Sequence, residues 1–180
     1  MRRGTGKDLK GRWKNISLLI LDVDGVMTDG RIIMSDDGKE WKQFDVKDGH
    51  GIKMLLRSGV GVVLLTGRSS RVVAHRARDL GVVDVFQGAR DKVRVFDDVL
   101  RSKGVDAKHV AYMGDDVVDV PLFRKVGIAI AVADACQEAR KAADYVTDRE
   151  GGHGAVREVC DLILRARGDW KKIIAQYEIY

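Results

Sequence analysis

From Ile16 onward the chain repeats one unit: a short apolar run of strand length, a polar or glycine-bearing break, then an amphipathic stretch of helical period. The apolar runs are Ile16–Leu21, Val60–Leu65, Val83–Phe86, His109–Met113, Ile128–Val132 and Tyr145–Thr147. The helical stretches are Gly49–Ser58, Ser70–Leu80, Asp91–Lys103, Val117–Lys125, Ala135–Ala143 and Ala155–Arg165. In the last of these Val156, Val159, Cys160 and Ile163 recur at helical spacing and predict a core-facing stripe. Apolar runs without alternation are the habit of strands buried on both faces, as in a parallel sheet. Strand alternating with helix then predicts an α/β fold, a doubly wound parallel sheet. Ligands of such folds sit at the carboxyl ends of the strands. A chain of 180 residues suits one such domain around one core.

Three strand ends carry residues with chemistry. The first run stops at Asp22-Val23-Asp24-Gly25-Val26-Met27-Thr28-Asp29-Gly30. Two carboxylates at the end of a buried strand are costly unless a cation compensates them. Side chains at i and i+2 of an extended chain point the same way, so Asp22 and Asp24 can share a pocket if the strand continues. One would attack while the other handles protons. The pair alone reads equally well as a strand running into an Asp-rich turn. Another run ends at Thr66-Gly67-Arg68-Ser69-Ser70, a third at Gly114-Asp115-Asp116-Val117-Val118-Asp119, and Lys92 opens a helical stretch after Gln87–Asp91. Each has a plain reading by itself: Thr66 as a helix cap, Lys92 as a solvated helix residue, Asp115 to Asp119 as caps of a helix with Pro121 in its first turn. Together these plain readings leave the ordered set unexplained.

Asp-x-Asp, then Thr, then Lys, then Gly-Asp-Asp-x-x-Asp resembles the haloacid dehalogenase-like phosphohydrolase superfamily. Further segments narrow the resemblance to its 3-deoxy-D-manno-octulosonate 8-phosphate phosphatases. These are Phe44-Asp45-Val46-Lys47-Asp48-Gly49, Tyr112-Met113-Gly114-Asp115-Asp116, Ala131-Val132-Ala133-Asp134-Ala135 and Gly151-Gly152-His153-Gly154-Ala155-Val156-Arg157-Glu158. The resemblance runs from about Ile16 to Leu164. It implies a magnesium-dependent phosphatase releasing phosphate from the octulosonate ester through an aspartyl-phosphate, or a close variant acting on a nine-carbon sugar-acid 9-phosphate.

On that resemblance Asp22 is the nucleophile, Asp24 the acid and base, Thr66 a holder of phosphoryl oxygen, and Lys92 the counter-charge. Magnesium suits an all-oxygen site. Its ligands would be the Asp22 and Asp115 side chains and the Asp24 backbone carbonyl, with Asp116 or Asp119 orienting its waters. The substrate-binding set is Asp24, Thr66, Gly67, Arg68, Arg76 and Lys92, where Arg68, ahead of Arg76 and His75, is expected to pair with the sugar acid's carboxylate. Two other classes compete: a phosphoacceptor signalling domain, whose acceptor Asp usually follows a later strand, and a non-catalytic scaffold, against which the intact set Asp22, Asp24, Thr66, Lys92 and Asp115 speaks.

One segment departs from the repeat. Arg31–Ser35, Asp36-Asp37-Gly38-Lys39 and Glu40–Phe44 read as a β-hairpin turned at Asp-Gly. An extended hairpin alone is marginal in water, so Ile32, Ile33, Met34 and Trp41 are expected to meet another subunit. In the related phosphatases the hairpin takes part in a homotetramer. The spacing leaves no room for a lid domain between Asp29 and Thr66 or between Thr66 and Lys92. The organisation expected is a basic arm (1–14), one capless domain (15–167, hairpin 31–44) and a tail (168–180) that frays or docks.

Net charge is +5 and the pI about 9.2, which favours anionic ligands. Arg2, Arg3, Lys7, Lys10, Arg12 and Lys14 concentrate charge at the start, yet no zinc-finger spacing or aromatic-rich RNA-binding signature accompanies them, so nucleic acid is not expected as partner. The arm reads as a solvated tail. Apolar runs are far short of a membrane span. Cys136 and Cys160 form no metal-type pair and read as core or half-buried thiols. A cytoplasmic protein is expected.

Overall fold

The computed structural model describes residues 6–177, so Arg2 and Arg3 of the expected arm lie outside the described residues. All six expected strands form and lie parallel. They are β1 (Leu18–Leu21), β4 (Gly61–Leu65), β5 (Asp84–Phe86), β6 (Val110–Gly114), β7 (Ile128–Ala131) and β8 (Tyr145–Val146), with β2 (Ile33–Met34) and β3 (Glu40–Trp41) as a separate hairpin. The sheet order is β5-β4-β1-β6-β7-β8. The chain starts in the middle, builds outward to β5, then crosses to β6 and builds outward the other way. Those two directions part beside β1, the topological switch point where such sheets open a crevice.

Every residue of β1, β6 and β7 is buried, as expected for strands covered on both faces. The helices are α1 (Gly6–Lys14), α2 (Val46–Arg57), α3 (Arg71–Leu80), α4 (Lys92–Lys103), α5 (Val120–Phe123), α6 (Gln137–Ala142), α7 (Ala155–Arg167) and α8 (Trp170–Ala175). Helix α7 packs against α1, α2 and α8, while α5 packs against α4 and α6. The stripe Val156, Val159, Cys160 and Ile163 on α7 is wholly buried. Cys136 is half-buried, and both thiols are free.

Two expectations change and one open alternative closes. The described part of the basic arm is a docked helix, not a solvated tail. Trp13 is buried edge-on to Tyr145 with centroids 5.6 Å apart, and Arg12 bonds the Gly127 carbonyl (2.9 Å from Nε) and Asp144 (2.6 Å). Amphipathic burial outweighs the charge of the arm there. The tail also docks: Ile173 is buried, Arg165 stacks over Trp170 at 4.1 Å, and the Tyr177 hydroxyl lies 3.2 Å from His50 Nε2. Finally, Val117–Lys125 is not one helix. It is a 3₁₀ turn over Val117–Asp119 followed by the single α turn α5, with Pro121 in its first turn. Asp119 there turns inward and accepts the backbone N–H groups of Asp115 and Asp116, which tightens the chain before the helix starts.

The hairpin is shorter than expected, two residues per strand, paired Ile33 to Trp41 and Met34 to Glu40. Gly38, at φ +78°, makes its turn. Among the described residues no lid domain is inserted after β1 or β4. Likewise none of the described helices is long and apolar enough to cross a membrane.

Candidate active site

Strand register brings the three chemistry-bearing ends together. Leu21 stands between Leu64 of β4 and Met113 of β6, so Asp22, Thr66 and Asp115 leave adjacent strands at nearly one level. The Asp22 N–H donates to the Met113 carbonyl (3.0 Å), fixing the first carboxylate beside the end of β6. Carboxylate oxygens of Asp22, Asp115 and Asp119 all lie within 4.8 Å of one another. Gly25, at φ +84°, makes this approach possible: a Cβ there would come within 2.1 Å of Asp115 Oδ2.

Lys92 is buried, not solvated. Its Nζ donates to Asp22 Oδ2 (2.5 Å), Asp119 Oδ1 (2.7 Å) and Tyr112 Oη (3.3 Å). Tyr112, fully buried in β6, donates its hydroxyl to Asp119 Oδ1 (2.6 Å). Burial works against the Lys92 charge, but Asp22 and Asp119 outweigh it and raise its pKa. Burial pushes the Asp22 carboxyl up to about 6, opposed by Lys92 and reinforced by Asp119. Asp115 rises to about 7, first by burial and then by repulsion from Asp119 and Asp22. Three converging carboxylates around one ammonium leave an excess of negative charge in a low-dielectric pocket, which a hard divalent cation with oxygen ligands relieves. The residues therefore fit magnesium.

Asp116 and Asp119, paired in the sequence reading, differ in the structure. Asp119 is buried within the carboxylate cluster. Asp116 is exposed and caps the 3₁₀ turn through Val117 N–H (2.7 Å). Thr66 is buried at the end of β4 and is not the cap of α3, whose N-cap position is Ser70. Its Oγ1 accepts the Arg68 N–H (3.4 Å), while the Gly67 loop runs past Ala89. Arg76 does not join the cluster. Its guanidinium holds Asp79 (2.8 Å) and the Asp45 carbonyl (3.3 Å) and stacks on Phe44 at 5.5 Å, tying α3 to the start of α2. Its charge is thus engaged in packing between α3 and α2.

Asp24 lies in the turn that follows β1 and so does not continue an extended run from Asp22. Its carboxylate meets the Lys42 ammonium and lies 3.6 Å from Arg68 Nε. Lys42 also lies 3.3 Å from Glu40, and Arg68 Nη2 donates to Glu40 (3.1 Å). Glu40 and Lys42 were missed from sequence. The one available signal was their period-two spacing around Trp41, which puts both on the hairpin face opposite the indole. Tyr112 was missed as well, since one hydroxyl in an apolar strand looks like core.

The Gly151-Gly152 pair supports the loop after Asp22 by close backbone approach. Gly152 N–H donates to the Val26 carbonyl (3.0 Å), and a Cβ on Gly151 would come within 1.9 Å of the Gly25 oxygen. Asp134 accepts the Gly151 N–H (2.9 Å), and Cys136 N–H donates to the Asp115 carbonyl (2.8 Å).

Residues 77–159 match the model of the haloacid dehalogenase-like hydrolases. The 3-deoxy-D-manno-octulosonate 8-phosphate phosphatase of Salmonella typhi is 49% identical over 155 residues, 86% of this chain and 82% of that protein. That of Escherichia coli K12 is 47% identical over 161 residues, 89% and 86% respectively. Among solved structures, the phosphatase of that name from Moraxella catarrhalis, in complex with magnesium, phosphate and KDO, superposes with TM-score 0.94 at 39% identity, covering 96% of this chain and 99% of that one. The Yersinia pestis phosphatase gives TM-score 0.90 at 45% identity, covering 91% and 89%.

Proposed function

Because this chain belongs to the 3-deoxy-D-manno-octulosonate 8-phosphate phosphatases of the haloacid dehalogenase-like hydrolases, we propose that it is a magnesium-dependent phosphatase that hydrolyses that ester to the free sugar acid and phosphate. The observation that carries this reading is the convergence of Asp22, Asp115, Asp119 and Lys92 at the carboxyl end of a central strand.

Asp22 is the nucleophile. Lys92, at 2.5 Å, keeps it ionised against burial. Its attack on phosphorus forms the aspartyl-phosphate and breaks the bond to the sugar oxygen. Asp24 delivers its proton to that oxygen, then takes one from the water that opens the aspartyl-phosphate. Thr66 and the Gly67 N–H bind phosphoryl oxygens, and Lys92 offsets their charge. Magnesium, held by the Asp22 and Asp115 carboxylates and the Asp24 carbonyl, would supply Lewis-acid neutralisation of the phosphoryl group. Asp119 holds Lys92 and the Asp115 loop in place. Arg68, exposed at the rim, is the cation offered to the substrate carboxylate.

We read residues 15–167 as one capless domain in a cytoplasmic homotetramer assembled through hairpin 31–44. The support is the hairpin's unpartnered apolar surface: Ile32, Met34 and Trp41 are 56%, 61% and 61% exposed. Another subunit over the open site would exclude water from it.

The test is phosphate release from octulosonate, nonulosonate and hexose phosphates, with magnesium or with chelator. The octulosonate ester should turn over fastest and chelator should abolish turnover. Preference for the nonulosonate ester would reassign the substrate to the nine-carbon acid, and preference for hexose phosphates would overturn the sugar-acid assignment.

A further inference from the structure

Lys42 follows β3 of the hairpin, outside the central sheet, and its side chain is only 1% exposed. A buried ammonium is held by its partners, because water cannot replace them. Here the partners are Asp24, whose Oδ1 accepts from Nζ, and Glu40, whose Oε1 lies 3.3 Å away. Arg68 closes the arrangement, 3.1 Å from Glu40 and 3.6 Å from Asp24 Oδ2. Two carboxylates and two cations therefore alternate around a ring. The cations differ in freedom: the Arg68 side chain is 48% exposed and can swing toward a ligand, whereas Lys42 is enclosed. Of the two, Lys42 fixes where the Asp24 carboxylate points.

A general acid works only within hydrogen-bonding reach of the oxygen it protonates. We propose that Lys42 is a positioning residue that holds the Asp24 carboxylate in line for proton transfer to the departing sugar oxygen, making the hairpin a working part of a site that has no lid. This rests on Asp24 being the acid and base of the phosphatase reading.

Position and charge at Asp24 matter most when the leaving group needs a proton. A sugar alkoxide needs one; 4-nitrophenolate leaves as a stable anion. The experiment compares the single-turnover rate of leaving-group release, which precedes opening of the aspartyl-phosphate, for the octulosonate ester and for 4-nitrophenyl phosphate in wild type, Lys42→Met and Lys42→Gln, with kcat and KM alongside and thermal unfolding to establish that each variant is folded. Since a well-placed acid contributes about 10²–10⁴-fold, Lys42→Met should lose roughly 10- to 100-fold on the sugar ester and less than about 3-fold on the nitrophenyl ester. Lys42→Gln, which keeps a donor without the charge, should lose less. An unchanged ratio of the two rates in whichever variant is folded overturns the assignment. So does a loss carried by KM instead of kcat, which would make Lys42 a substrate ligand. Wild type inactive on both esters would instead remove the phosphatase reading beneath it.

Discussion

The two charge clusters of this protein are built on opposite plans. The Asp22–Lys92–Asp119 cluster hangs from the ends of parallel strands deep in a sheet, and each member is almost fully buried. The Asp24–Lys42–Glu40–Arg68 cluster hangs from a hairpin with two residues per strand, and its exposure ranges from 1% at Lys42 to 48% at Arg68. The first is rigid because the sheet cannot move without unpacking its core. The second is held by its own ion pairs and by whatever covers the hairpin's apolar side. In the mechanism we propose, attack on phosphorus sits on the rigid plan, and recognition and proton delivery sit on the adaptable one.

The largest effect that sharpens this contrast is expected at the sheet end. Asp22→Asn should lower turnover by on the order of 10⁴-fold or more on sugar and nitrophenyl esters alike, since it removes the nucleophile itself. It should retain a cooperative unfolding transition. A loss confined to the sugar ester would erase the distinction between the clusters, and substantial residual turnover would reject the nucleophile.

An intermediate effect is expected on the outer side of the hairpin. Light scattering should report a tetramer, and Trp41→Glu should dissociate it, because a buried aromatic anchor at an interface contributes about 2 kcal/mol or more. A monomeric wild type would mean that the hairpin is seated by its own ion pairs alone.

The smallest effect concerns a third buried carboxylate, away from both clusters. Asp48 on α2 accepts the Arg157 N–H of α7 at 2.7 Å, serving a helix whose own N-cap, Gly154, has no side chain. Burial raises its carboxyl to about 6 from an ordinary value near 3.8. The folded protein therefore binds more protons than the unfolded chain between those values, and stability from this group falls as pH rises through that window. Denaturant unfolding of Asp48→Asn against wild type from pH 4 to 7 should show wild type losing ground up to about pH 6 and then levelling. A flat difference would mean that the folded protein tolerates this charge without cost.

Much of this was open to reading from residues alone. The strands were found because parallel strands buried on both faces are continuous apolar runs, and Asp22, Thr66 and Asp115 because each follows such a run. Lys92 was found only through its place in an ordered motif; its burial between two carboxylates was not visible, since a lysine opening a helix is ordinarily solvated. That Arg76 is held by Phe44, Asp45 and Asp79 was not visible either, because Phe44 and Asp45 come from the loop before α2, far from it in sequence. The arm was read as solvent-facing from its charge, although Trp13 anchors it, and the tail was left to fray or dock, where burial of Ile173 docks it.

Local order along the chain thus determined the α/β architecture, the strand ends and the loop that carries Asp22 and Asp24, because hydrophobic period and turn chemistry act over a few residues. Which of two adjacent acids enters the cluster, Asp119 and not Asp116, and which amine reaches Asp24, Lys42 from the hairpin, were decided only in three dimensions. Ion pairing depends on distance and dielectric between residues far apart in sequence, and neither exists until the chain has packed.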